Sequence, residues 1–185
     1  QALRVYDIGT NNKAQNQLLA QANIRNMQLS PSGKYVMALD KSKKMYVWDV
    51  TTGKLVSLID DIATDKTFSW YNGFAGDAAI YYINKDSKVI VRNITNNEDK
   101  IVDEDAAFVT YIKGDATGKY LVVNNQNVIT VYDAMSGETV YQVKIEKDKA
   151  VNSDILWCND KILYIEEDSE EAADVTESSR CIKIV

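Results

Sequence analysis

A unit of about 42 residues recurs along this chain, and the recurrence limits its possible folds more than any other feature. The segments LRVYDIGT (3–10), MYVWDVTTGKLV (45–56), VIVRNITNNEDKIV (89–102) and VITVYDAMSGETVYQV (128–143) align with one another, and RCIKIV (180–185) is a weaker fifth. Val5, Val47, Val91, Val131 and Ile182 anchor the alignment, at steps of 42, 44, 40 and 51 residues. A unit this short cannot bury its own apolar face, so its neighbours must stack on it.

Each unit divides into short runs rich in Val, Ile, Tyr and Thr, separated by Gly, Asn, Asp and Ser. Such runs read as strands, and helical spacing is convincing nowhere. The segment NKAQNQLLAQAN (12–23) could be drawn as a helix, but its place in the repeat makes 16–21 an outer strand. Steps near 40–45 residues with four strands per step are those of β-propeller blades. The chain is therefore expected to be all-β, with about four blades of four antiparallel strands in an incomplete ring. Residues 1–22 end one blade. Full blades occupy 23–60, 61–105 and 106–147. Residues 148–185 form a blade lacking its last strand, with an acidic insertion at 166–179. The second strands read YVMAL, AIYYI, YLVV and ILYI, almost continuously apolar, which predicts sheets covered on both faces.

The segment SPSGKYVMALDKSKKMYVWDVTTGKLV (30–56) resembles a WD repeat through its SPSGK turn, Trp48-Asp49 and Thr52-Gly53. Tyr6-Asp7, Arg92-Asn93 and Tyr132-Asp133 stand at related positions. The ending VYDAMSGETVYQV also resembles the blades of quinoprotein-type propellers. These resemblances span nearly the whole chain and imply a divergent bacterial propeller. One departure is chemical. WD-repeat propellers commonly place a His near the first strand, and this chain has no histidine.

The absence of histidine also removes the commonest general base and transition-metal ligand. Two cysteines, Cys158 and Cys181, cannot make a zinc cluster alone. They are expected on strands separated by a third, about 10 Å apart, too far for a disulfide. A net charge of −6 disfavours nucleic acid and anionic lipid, and the basic tip KSKK (41–44) does not reverse it. No run of about 18 apolar residues occurs, so no membrane insertion is expected of this segment. The N-terminal QALRVYDIGT lacks the pattern of a signal peptide.

Asp7, Asp49 and Asp133 end equivalent strands and are expected to cap the turns that follow. Glu166, Glu167, Asp168, Glu170, Glu171, Asp174 and Glu177 fit no calcium loop and read as a solvated insertion. Trp48, Trp70, Tyr71, Tyr81, Tyr82 and Trp157 lie in strand runs and read as packing between blades. Asn93-Ile94-Thr95 matches a glycosylation sequon, but by chance at a strand end.

No catalytic, cofactor-binding or metal residues are assigned, and no cofactor is expected. The chain is expected to be a non-enzymatic interaction or scaffold module of a larger protein, membrane-associated or permease-linked among the possibilities. Its partners would be another protein, the remaining blades, or a second copy meeting open edges. An extracytoplasmic setting is slightly favoured. The competing reading is part of a quinoprotein-like or hydrolytic propeller enzyme whose site needs further blades.

Overall fold

The computed structural model describes residues 3–5, 17–20, 23–63, 65, 71–147, 149–151, 154–159, 161–168 and 180–184. No helix occurs among them. Strands β1 (Leu3–Val5) and β2 (Gln17–Ala20) pair antiparallel as a two-stranded sheet. The first full blade, blade I, comprises β3 (Ile24–Leu29), β4 (Tyr35–Asp40), β5 (Met45–Asp49) and β6 (Leu55–Ile59). Blade II comprises β7 (Gly73–Ala75), β8 (Ala79–Ile83), β9 (Val89–Asn93) and β10 (Asp99–Asp103). Blade III comprises β11 (Val109–Gly114), β12 (Tyr120–Asn125), β13 (Val128–Asp133) and β14 (Thr139–Lys144). Each is a four-stranded antiparallel meander, as the repeat predicts.

Blade IV departs from that plan. Its first strand is split into β15 (Lys149–Ala150) and β16 (Leu156–Cys158). Both pair with one side of β17 (Lys161–Asp168), and β18 (Arg180–Ile184) pairs with the other. Cys158 and Cys181 therefore lie on opposite sides of β17, at Lys161 and Glu166 in its register. Two interstrand spacings exceed what a disulfide can span.

Turn chemistry repeats with the strands. The third and fourth strands of blades I, II and III are joined by one turn. In it Gly53, Asn97 and Gly137 donate their N–H to the carbonyls of Asp49, Asn93 and Asp133 at 2.8, 2.9 and 2.8 Å. All three closing residues have left-handed φ, at 68°, 58° and 73°. Glycine and asparagine adopt that backbone most readily, which is why they recur there.

The core is the set of junctions between blades. Met37, Leu39 and Val47 of blade I pack against Phe74, Ile80 and Tyr82 of blade II. Tyr81, Ile83, Val89 and Val91 of blade II pack against Ile112, Leu121 and Tyr132 of blade III. Val122, Ile129 and Val131 of blade III pack against Ile155, Ile162 and Tyr164 of blade IV. Strands β4, β8 and β12 are accordingly buried on both faces. At the second junction the inner strands touch. A Cβ on Gly114 would lie 2.5 Å from the Phe74 carbonyl oxygen and 2.6 Å from the Ala75 Cα, so only glycine permits this approach.

Two expectations are corrected. Strand β17 is not covered on both faces. Its burial alternates, because blade III covers one side and no described residue packs over the other. The acidic segment does not start as a loop at 166. Glu166, Glu167 and Asp168 are strand residues of β17. Glu166 is buried, with Lys183 2.9 Å away, and Asp168 pairs with Lys149. Glu170, Glu171, Asp174 and Glu177 lie outside the described residues, as do Asp7 and Trp70.

Candidate interaction surfaces

Residues paired across adjacent strands share a face of the sheet. Each blade therefore has a leading face, turned to the blade before it in sequence, and a trailing face, turned to the blade after it. Trp48, Arg92 and Tyr132 follow the repeat anchors and lie on leading faces, paired with Val36, Ile80 and Leu121 respectively. The anchors Val47, Val91 and Val131 point the other way, into trailing faces, and all three are buried.

The leading residues tie blades together through polar groups as well as packing. Arg92 places its guanidinium on Asp99 in a two-pronged contact, Nε and Nη2 each 2.5 Å from a carboxylate oxygen. Its Nη1 donates to the Leu58 carbonyl of blade I at 3.2 Å. Asp99 raises the affinity of that guanidinium for its proton, against the cost of burial. Tyr132 donates to Asp103 of blade II at 3.3 Å. Burial, with the Asp103 carboxylate adding to it, pushes the Tyr132 phenol up to about 12. Across the second junction Tyr81 donates to the Ile112 carbonyl at 3.2 Å.

Among the described residues, the end blades lack these partners. Leu29 pairs with Val36, and Phe74 pairs with Ile80, so Leu29 and Phe74 hold one position on the leading faces of blades I and II. Phe74 is 8% exposed and Leu29 is 64% exposed. Met27, paired with Ala38, corresponds to Ile112, paired with Val123. Ile112 is 1% exposed and Met27 is 66% exposed. At the other end, Leu156 and Ile184 both pair with Leu163, and Ile182 pairs with Ile165. These residues form the trailing face of blade IV, on which Leu156, Ile165, Ile182 and Ile184 are all exposed. Among the described residues, large apolar side chains are thus exposed on the inner strand of blade I's leading face, where Val36, Ala38 and Trp48 alongside are buried, and on the trailing face of blade IV.

The aspartates singled out as candidates do not converge. Asp49 Oδ1 accepts from the Thr52 N–H at 2.7 Å and the Thr52 hydroxyl at 3.0 Å. Asp133 Oδ1 accepts from the Ser136 and Met135 N–H groups at 2.7 and 3.0 Å. These backbone donors hold both carboxyls below their ordinary range. Asn93 Oδ1 makes the same cap to Thr95 N–H at 2.8 Å, so the sequon asparagine is a turn residue. Among the aromatics, Trp48, Tyr81 and Tyr82 are buried. Tyr71 and Trp157 pack against the junction clusters, Trp157 stacking on Tyr120 at 5.9 Å between centroids.

A cleft of about 160 Å³ opens between blades II and III at Asn93, Glu98, Asp99, Lys100 and Met135. It is smaller than the roughly 300 Å³ at which small-molecule sites begin. The inner strands β3, β7, β11, β15 and β16 contain no Asp or Glu. The open faces are therefore the most developed surface feature of the described residues. Sequence reasoning anticipated apolar ends but did not single out Met27 and Leu29. Their alternation with Asn26 and Gln28 is the signal that could have found them.

No protein-family model matches the sequence, and no curated protein matches it. Solved structures do. The β-propeller domain of Cps50 (Swd1) from Myceliophteria thermophila superposes with a TM-score of 0.54 at 16% identity, over 82% of this chain and 56% of that one. The β-propeller domain of the Trilobed protease from Pyrococcus furiosus, described as having an open velcro topology, gives 0.59 at 10% identity, over 89% and 54%. BamB from Moraxella catarrhalis gives 0.55 at 11% identity, over 80% and 47%. This chain spans about half the length of the structures it matches. Identities this low carry the architecture and nothing finer, and on that ground the chain has the β-propeller fold.

Proposed function

We propose that this chain is a non-enzymatic protein-interaction module, a run of propeller blades within a larger protein, whose two end faces are its binding surfaces. One observation carries the reading: Leu29 stands uncovered at a position where Phe74 of the next blade is buried by its neighbour. Apolar side chains presented on a rigid sheet gain roughly 25 cal/mol for each Å² removed from water, so a partner sheet seated there is favoured. The competing reading remains part of a quinoprotein-like or hydrolytic propeller enzyme whose site needs further blades.

The test titrates the purified chain with ANS, a dye that fluoresces on apolar surface, and assays the same sample for hydrolysis of generic peptide and ester substrates. Dye binding that falls in Leu29→Lys and Ile182→Lys, with no turnover, is the expected result. Absence of dye binding, or turnover that survives repurification, overturns it.

A further inference from the structure

The second strands of blades I, II and III begin differently. Tyr35, Ala79 and Tyr120 hold one position, each paired with the last residue of its third strand, Asp49, Asn93 or Asp133. The residues before them are Lys34, Ala78 and Lys119. Their carbonyls accept from the N–H of Val50, Ile94 and Ala134, each at 2.9 Å. In blades I and III this dipeptide sets a cation over a ring. The Lys34 ammonium lies 4.9 Å from the centre of the Tyr35 ring, and the Lys119 ammonium 4.7 Å from that of Tyr120. Blade II has neither the cation nor the ring.

The side chain facing that position changes with it. At the first junction Tyr35 packs against the cluster that contains Ile94. At the second junction the same two positions hold Ala79 and Ala134. Two large side chains are replaced by methyl groups at one place, and the cleft of about 160 Å³ stands there, lined by both alanines and by Val91, Asn93, Lys100 and Met135. The cleft lies between two complete blades, so it does not depend on where the sequence begins or ends.

We propose that this cleft is a socket for one aromatic side chain of a partner protein. The site lies apart from the end faces and does not depend on their being bound. The neighbouring junctions show the occupant that fits, since their own tyrosines fill the equivalent space. A cavity of roughly 150 Å³ suffices for benzene, so the volume admits a single ring. Ala79, Val91 and Ala134 are buried and give an apolar lining. Lys100, whose ammonium donates to the Met135 carbonyl at 3.4 Å, supplies a cation for the ring face in place of the lysine absent at Ala78. The half-exposed Met135 offers its thioether to a ring edge. Lys100 lies on β10, the outermost strand of its sheet. An extended segment can therefore run beside that edge while its side chain enters the cleft. One ring carries too few atoms to bind firmly alone, which favours a ring borne on a chain over a free metabolite.

NMR titration of backbone amides with p-cresol, N-acetyltyrosinamide and N-acetylleucinamide tests this on wild type and on Ala79→Tyr, which supplies the ring from within. Both phenols are expected to shift the amides of Ala79, Asn93, Lys100 and Ala134 saturably in wild type, and the leucine amide to bind about tenfold more weakly. Ala79→Tyr is expected to weaken both phenols by at least about tenfold. Ala134→Ile, which restores the side chain found at Ile94, replaces it if thermal unfolding shows Ala79→Tyr to be misfolded. The wild-type titrations decide the matter even without a variant. Absence of saturable shifts at these amides overturns the socket, as does equal affinity for the leucine amide. Binding of p-cresol without N-acetyltyrosinamide overturns a protein side chain as the occupant and leaves a free phenol. Phenol binding unchanged in a folded variant moves the site elsewhere and overturns the proposal.

Discussion

Val131 and Ile182 hold the same position in the repeat unit, each the anchor of a third strand, yet Val131 is 7% exposed and Ile182 is 70% exposed. The side chains differ by one methylene. The difference in burial arises from what stands opposite: Ile155, Ile162 and Tyr164 of blade IV cover Val131, and no described residue covers Ile182.

Truncating the two should therefore cost different amounts. Val131→Ala removes buried carbon and leaves a cavity at a packed junction, a loss of about 2 kcal/mol. Ile182→Ala at a solvated face should change stability by less than about 0.5 kcal/mol. Urea unfolding of both variants measures the contrast. Equal losses would mean that Ile182 is covered in solution.

Two glycines separate steric from conformational cost. Gly114→Ala drives a methyl group into the backbone of β7 and should lose roughly 1–3 kcal/mol, the range for overpacking. At Gly33, φ is +77° and nothing lies within 4 Å of an added Cβ. Gly33→Ala should cost about 1 kcal/mol from left-handed backbone alone. Hydrogen exchange localises the effects: faster exchange in β7 and β11 for the first, and at the 30–35 turn for the second.

Alkaline pH should weaken the fold through its buried phenols. Burial pushes Tyr111 and Tyr132 up to about 12 and raises Tyr81 and Tyr82 further, from an ordinary value of 10.0. The folded state favours the protonated phenol. Its advantage is fully present below pH 10, where the unfolded chain is also protonated, and is lost as pH rises toward 12. Absorbance at 295 nm should show an exposed class of the eleven tyrosines titrating near 10, and a second class ionising only as the sheet signal collapses. Titration of all tyrosines together near 10 in folded protein would contradict the packing.

Acid should act through the turns. Backbone N–H groups stabilise ionised Asp49 and Asp133, whose ordinary value is 3.8, and Ser32 does the same for Asp77 across the first junction. Carboxyls depressed in the folded state contribute stability that is present above pH 4 and lost as pH falls through their lowered values. Asp49→Asn and Asp133→Asn keep a cap, as Asn93 does, without the charge. The double variant should show a smaller drop in urea midpoint between pH 7 and pH 3 than the wild type. An unchanged drop would place the acid sensitivity elsewhere.

The strands of blades I and III were readable because each side-chain run coincides with a turn whose chemistry is local. Asp49 through Gly53 and Asp133 through Gly137 need only their own residues to close. Asn93 through Asn97 closes the same way without glycine, and so still fits the repeat. Blade IV was harder, since the acidic letters of 166–168 read as solvent while the chain pairs them with Lys183 and Lys149, residues distant in sequence. Strand β17 was read as covered on both faces because its letters match those of β8, and burial depends on the neighbour.

What the sequence determined by itself is the period, the strands and the turns, because these arise from alternation and from hydrogen bonds within a few residues. The identity of Arg92 as the group that binds Asp99 and the Leu58 carbonyl was settled only by tertiary structure. So was the contrast of Leu29 with Phe74 and of Ile182 with Val131. Hydrophobic burial is a property of two surfaces, and a sequence shows only one of them at a time.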